Sequence, residues 1–137
     1  GVHGVSLSDI RAGLGDNLET VAGIRVYEEI PDNPSMPCAV IQLSNVNYDV
    51  SFQRGATNYS FIIHLIVTRV TERRAQQKLD KFIDPGSSSI KTAVESDSTL
   101  GGAAFDVIVT EARDMAPVTI GGIDYLAVEF TATVFAL

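Results

Sequence analysis

The apolar residues of this chain change period several times, and each change marks an element. Tyr59, Phe61, Ile63, Leu65 and Val67 alternate with Ser60, Ile62, His64, Ile66, Thr68 and Val70, the two-residue period of a strand. Both sets are largely apolar, which predicts a central strand covered by helices on one side and by more protein on the other. Ala75, Leu79, Phe82 and Ile83 then fall at helical spacing behind Thr71, a candidate N-cap. A helix over 72–84 is therefore expected to fold back on its own strand until Pro85 and Gly86 stop it.

Upstream, Ser6 and Asp9 read as a capping box for a helix whose stripe is Leu7, Ile10, Leu14, Leu18 and Val21, with Gly23 as its end. Gly13 and Gly15 weaken that helix by up to about 1 kcal/mol each, so packing compensates or a close backbone approach requires them. Residues 24–30 alternate as a first strand, and three prolines hold 31–37 extended and outside any sheet. Residues 38–43 read as a buried strand. Val46, Tyr48, Val50 and Phe52 continue it against a wet face of Asn47, Asp49, Ser51 and Gln53. Reversal at Arg54, Gly55 and Ala56 then predicts a long hairpin over roughly 38–70.

Beyond the 72–84 helix, serines before Ile90 cap a short helix carrying Ile90, Ala93 and Val94, and residues 105–109 form a strand running on toward Met115. Gly121 and Gly122 suit a tight type I′ turn between 118–120 and the last strand. There Leu126, Val128, Phe130, Ala132 and Val134 point one way and Tyr125, Glu129, Thr131 and Thr133 the other. The expected fold is α+β: an antiparallel-dominated β-sheet with a long β-hairpin and two to three α-helices packed on one face. Residues 1–137 read as a single domain behind a flexible arm at 1–5.

Composition narrows the function more than it names one. The chain has 137 residues, 45% of them hydrophobic, and a net charge of −7, which argues against sequence-independent nucleic-acid binding. Cys38 is the only cysteine, so an internal disulfide and a cysteine zinc site are excluded; it reads as a small core residue. No signal peptide, lipidation motif or long apolar run is visible, and a soluble protein acting where it is made or in an assembly is expected. The histidines are His3 and His64, and His64, mid-strand among apolar neighbours, reads as a hydrogen-bonded core or interface residue. Asp80, Asp84, Glu95 and Asp97 read as solvated surface. The run Gly86 to Thr92 lacks the glycine that a phosphate loop places before its lysine. Expected catalytic, metal and cofactor residues are none, and an enzyme is disfavoured.

The order of features carries a resemblance. Leu7-Ser8-Asp9-Ile10-Arg11-Ala12-Gly13-Leu14, Val21-Ala22-Gly23-Ile24-Arg25-Val26-Tyr27, Met36-Pro37-Cys38-Ala39-Val40 and Phe52-Gln53-Arg54-Gly55 resemble small neck proteins of long, non-contractile-tailed phages. Arg73-Arg74-Ala75-Gln76-Gln77-Lys78-Leu79-Asp80, Pro85-Gly86-Ser87-Ser88-Ser89-Ile90, Leu100-Gly101-Gly102, Val109-Thr110-Glu111-Ala112-Arg113 and Ile120-Gly121-Gly122-Ile123-Asp124-Tyr125-Leu126 are similar to the tail terminator family of siphophages infecting actinobacteria.

That resemblance implies a non-enzymatic ring, a hexamer, in the virion at the head–tail junction after assembly in the host cytoplasm. Its implied partners are copies of itself, the tail tube protein and a head-completion or connector protein. DNA passes the lumen without specific binding, and no membrane is involved. Another neck or tail-tube component, and then a small ligand-binding α+β domain, are the alternatives. The wet half of the hairpin is long enough to pass the core and meet a neighbour, which nominates Tyr48, Asp49, Val50, Phe52, Arg54 and Tyr59 as interface residues. An isolated two-stranded tip is marginal in water, and ring contacts would stabilise it.

Overall fold

The computed structural model describes residues 6–21, 23–27, 29, 35–48, 57–71, 73–84, 89–104, 106–114 and 117–136. The arm at 1–5 and the hairpin reversal at 49–56, with Asp49, Val50, Phe52 and Arg54, lie outside them. Ser6 starts α1 (Leu7–Leu18) by accepting a hydrogen bond from the Asp9 amide at 3.1 Å. The expected stripe is the buried one: Ile10, Leu14, Leu18 and Val21 all face the core. The helix stops at Leu18, short of Gly23. That glycine, at φ 87°, instead turns the chain into β1 (Arg25–Tyr27). Gly13 answers to a close approach. A Cβ there would meet the Leu100 Cβ at 2.6 Å and its carbonyl oxygen at 2.8 Å.

The sheet has six strands, adding β2 (Cys38–Tyr48), β3 (Thr57–Arg69), β4 (Asp106–Asp114), β5 (Val118–Ile120) and β6 (Ile123–Ala136). Their order is β1-β2-β3-β6-β4, with β5 paired to β6; β1 runs parallel to β2 and every other pair is antiparallel. β3 is central, as its two apolar faces predict. The β2–β3 hairpin is long, but β6 pairs with β3 from Thr57 to Arg69, so its described part is backed by a third strand. The isolated two-stranded character expected of 46–60 therefore does not apply to Val46–Tyr48 or to Thr57–Ser60.

α2 (Ala75–Ile83) begins later than expected, and Thr71 does not cap it. The reason is local. The Val70 amide still donates to the Asp124 carbonyl at 3.0 Å, holding the chain to the sheet, and Arg74 at φ 64° makes the break instead. α3 (Ile90–Val94) does have its serine cap, Ser89, which accepts from the Thr92 amide at 3.3 Å. All three helices lie on one face, where Phe61, Ile63, Leu65, Leu79, Phe82, Val128 and Phe130 share one buried cluster.

The other face is only partly covered, which corrects the expectation of more protein over the whole of β3. Cys38, Ile66, Tyr125 and Ala127 form a small second cluster there, flanked by Tyr27, Met36 and the β5–β6 hairpin. Tyr125 points away from Val128, as expected, and is buried in this second cluster with Ile66 and Ala127, where Val118 and Ile120 pack against it. Gly121 and Gly122, at φ 59° and 79°, make the tight reversal that folds β5 back.

Candidate functional site

Paired residues in a ladder share a face, so the registers say what the uncovered side presents. Val40, His64, Glu129 and Arg113 form one row across β2, β3, β6 and β4; Gln42, Ile62, Thr131 and Glu111 form the next. Asn45, Ser60, Thr133 and Ile108 follow, and then Asn47, Asn58, Phe135 and Asp106. The result is a mixed polar face with scattered apolar side chains. The charges in these four rows are Asp106, Glu111 and Glu129 against Arg113, which pairs with Glu111 at 3.3 Å.

His64 sits at the middle of this face, half-buried. Its Nε2 lies 2.8 Å from Gln42 Oε1, and its Nδ1 lies 3.9 Å from Glu129 Oε1. His64 is therefore a hydrogen-bonded residue of the uncovered face rather than a core one. Cys38 behaves as read from sequence. It is fully buried, and that burial pushes its thiol up to about 11, far from thiolate reactivity.

Three register shifts set which residues reach which face: Leu43/Asn45 in β2, Ile66/Thr68 in β3 and Val109/Glu111 in β4. In β2, Ala39, Ile41 and Leu43 pair with Leu65, Ile63 and Phe61 on the helix side. The extra residue Ser44 then shifts parity, so that Val46 and Tyr48 continue the same side opposite Tyr59 and Thr57. Tyr48 and Tyr59 are thus brought together on one face. Tyr48 is 75% exposed, whereas Tyr59 is half-buried and packed against the main core. Tyr59 therefore serves the fold at least as much as any contact.

The two outer edges of the sheet differ. On β4, Glu95 Oε2 accepts from the Val109 amide at 2.9 Å while Lys91 Nζ donates to the Val109 carbonyl at 3.2 Å. The Val107 amide is taken by Asp106 Oδ1 at 2.9 Å. Side chains thus occupy backbone groups that another strand would need. On β2, β1 covers only Cys38–Val40, and no described strand lies beside residues 41–48 on that side.

The acidic residues singled out from sequence do not converge. Asp80 accepts from Gln76 at 3.0 Å, Glu95 belongs to the Val109 clamp, and Asp97 binds its own loop through Thr99 and Gly101. Among the described residues, no group of three or more His, Cys, Asp or Glu side chains is placed to hold a metal ion. No described helix is long and apolar enough to cross a membrane.

Sequence reasoning missed the Lys91–Glu95 clamp and the role of Asn17. Asn17 is buried, and its Nδ2 donates to the carbonyls of Val94 and Asp97 at 2.8 and 2.9 Å, fastening α1 to the turn after α3. The i,i+4 spacing of Lys91 and Glu95 was a visible signal for an ion pair, though not for its backbone target. No protein-family model matches this chain, and no curated protein matches it.

Proposed function

We propose that this chain is a structural protein of a siphophage virion: a ring-forming tail terminator that caps the tail tube at its head-proximal end. In this role it stops tube polymerisation and joins the tail to the head-completion or connector protein. The observation that carries the reading is the order of resembling segments from Leu7 to Leu126. The fold lends support in two ways. A sheet with one polar, uncovered face and an exposed Tyr48 at the described end of its long hairpin has surface to offer a neighbour. Its two edges are chemically unlike, which favours a head-to-tail contact; such contacts are heterologous and make a ring when their rotation closes.

The acidic balance of the chain, a net charge of −7, also suits a ring that DNA traverses without adhering. The role needs no catalytic group. A ring that matches the tube on one side and differs on the other leaves the next tube subunit no site. Tube protein polymerised with the purified chain should give shorter tubes carrying one extra ring at a single end in electron micrographs. Phage lacking the gene should make overlong tubes. Unchanged tube lengths with no end-bound ring would overturn the assignment, and density on the capsid instead would move it to a connector role.

A further inference from the structure

β4 is the last strand on its side of the described sheet, and residues 107–109 are Val, Ile and Val, three β-branched side chains in a row. Such a run on an edge is a template for another strand. In an antiparallel ladder, successive residues direct their backbone groups to opposite sides. The amides of Val107 and Val109 point out of the sheet, as their bonds to Asp106 and Glu95 show, and Ile108 between them faces β6 opposite Thr133. The Ile108 side chain is 39% exposed on the uncovered face.

Side chains fill that outward row. Glu95 Oε2 accepts from the Val109 amide at 2.9 Å, Lys91 Nζ donates to the Val109 carbonyl at 3.2 Å, and Asp106 Oδ1 accepts from the Val107 amide at 2.9 Å. The polarity at Val109 is that of a neighbouring strand, with an acceptor on its N–H and a donor on its C=O. Lys91 and Glu95 also pair with each other at i,i+4 spacing, an arrangement that on a solvated helix face needs no backbone partner. Here both lean on the same edge residue. Their helix is held in place: Ile90 and Val94 are fully buried, and Asn17 bonds to the Val94 carbonyl. Charged groups turned in over an edge are a known means of keeping strands from adding to it.

We propose that Lys91 and Glu95, with Asp106 beside them, form an autoinhibitory guard that stops the β4 edges of two copies from pairing. With the guard withdrawn, the edges meet antiparallel about a two-fold axis at Ile108. Val107 of each copy exchanges both backbone bonds with Val109 of the other, and the two Ile108 side chains stand opposite each other. The contact is isologous, so it joins copies two at a time. This does not depend on the terminator reading.

The test uses the full chain carrying Lys91→Ala with Glu95→Ala, which removes one charge of each sign and leaves the net charge at −7. Native mass spectrometry should show particles heavier than the parent's whose share grows with protein concentration. As they form, amide exchange at Val107 and Val109 should slow by about tenfold or more. Adding Ile108→Lys sets two lysines face to face across the axis and should return the mass to the parent's. Lys91→Met alone frees the Val109 carbonyl and keeps Glu95, and should associate in the same way but more weakly; it serves if the double variant does not fold. Either variant, folded by a cooperative melt yet unchanged in mass and in exchange at 107 and 109 at every concentration, would overturn the proposal. So would association that Ile108→Lys leaves untouched, because the contact would then lie elsewhere.

Discussion

The two faces of the central sheet show how differently one set of strands can be used. On the helix side, Phe61, Ile63, Leu65, Val128 and Phe130 meet Ile10, Leu14, Leu79, Phe82 and Ile90 in one dry cluster. On the other side, the same strands present His64, Gln42, Glu129, Thr131 and Thr133, and only the end near Cys38, Ile66 and Tyr125 is closed. Hydrophobic burial dominates folding, so the first face holds the chain together and the second is free to be shaped by contacts.

That contrast is sharpest at Phe82, where truncation leaves a cavity under β3 and β6. Phe82→Ala should cost about 3 to 5 kcal/mol in a denaturant melt. A loss below about 1 kcal/mol would mean that α2 contributes little to the covered face. A smaller effect on the same side is expected at Asn17. Asn17→Leu keeps the volume but strands the carbonyls of Val94 and Asp97, and should cost about 1 to 3 kcal/mol. If stability is unchanged, water replaces the amide and the α1 staple is unimportant.

The uncovered side should respond weakly. Ile62→Thr there, and Tyr48→Ser at the 75% exposed hairpin end of the opposite face, should each shift folding stability by no more than about 0.5 kcal/mol while weakening self-association. Unfolding of the Ile62 variant in the dilute monomer would erase the distinction between the faces. The smallest effect belongs to Asp97. The Thr99 hydroxyl, followed by the Gly101 amide, holds its carboxyl below the usual carboxylate range. A group whose folded pKa is depressed contributes stability that is complete above its unfolded value, about 3.9, and is lost as pH falls through the folded one. Asp97→Asn should therefore lower Tm slightly at neutral pH and converge on the parent below about pH 4, which flattens the acid limb of a Tm-against-pH curve. A steeper acid limb would contradict that sign.

The sequence made the covered face legible because its residues obey simple periods, α1 by its stripe and β3 and β6 by alternation. It also showed the apolar positions of β2 passing from odd at Leu43 to even at Val46, which is where the structure places a bulge. The bulges at Val67 and Thr110 left no comparable mark, since apolar and polar neighbours surround them alike. The burial of Tyr125 left no mark in the sequence, because it depends on the fold-back of β5 over that face. Thr71 misled because cap chemistry is local, while the Val70 bond that delays α2 comes from Asp124, far along the chain. Of the nominated interface residues, Tyr48 and Tyr59 lie on one face of the β2–β3 ladder, in the Tyr48–Thr57 and Val46–Tyr59 pairs, and Tyr59 is the more buried because β6 flanks it on the other side.

The central claim, that the uncovered face and hairpin exist for a closed head-to-tail assembly, is tested most directly by the mass and symmetry of the particle. Native mass spectrometry with class-averaged electron micrographs should show a single closed ring of about six copies with one rotational axis. Tyr48→Ser should move that population to folded monomer. A particle that stays monomeric at all concentrations, or a two-fold dimer in place of a ring, would contradict the account.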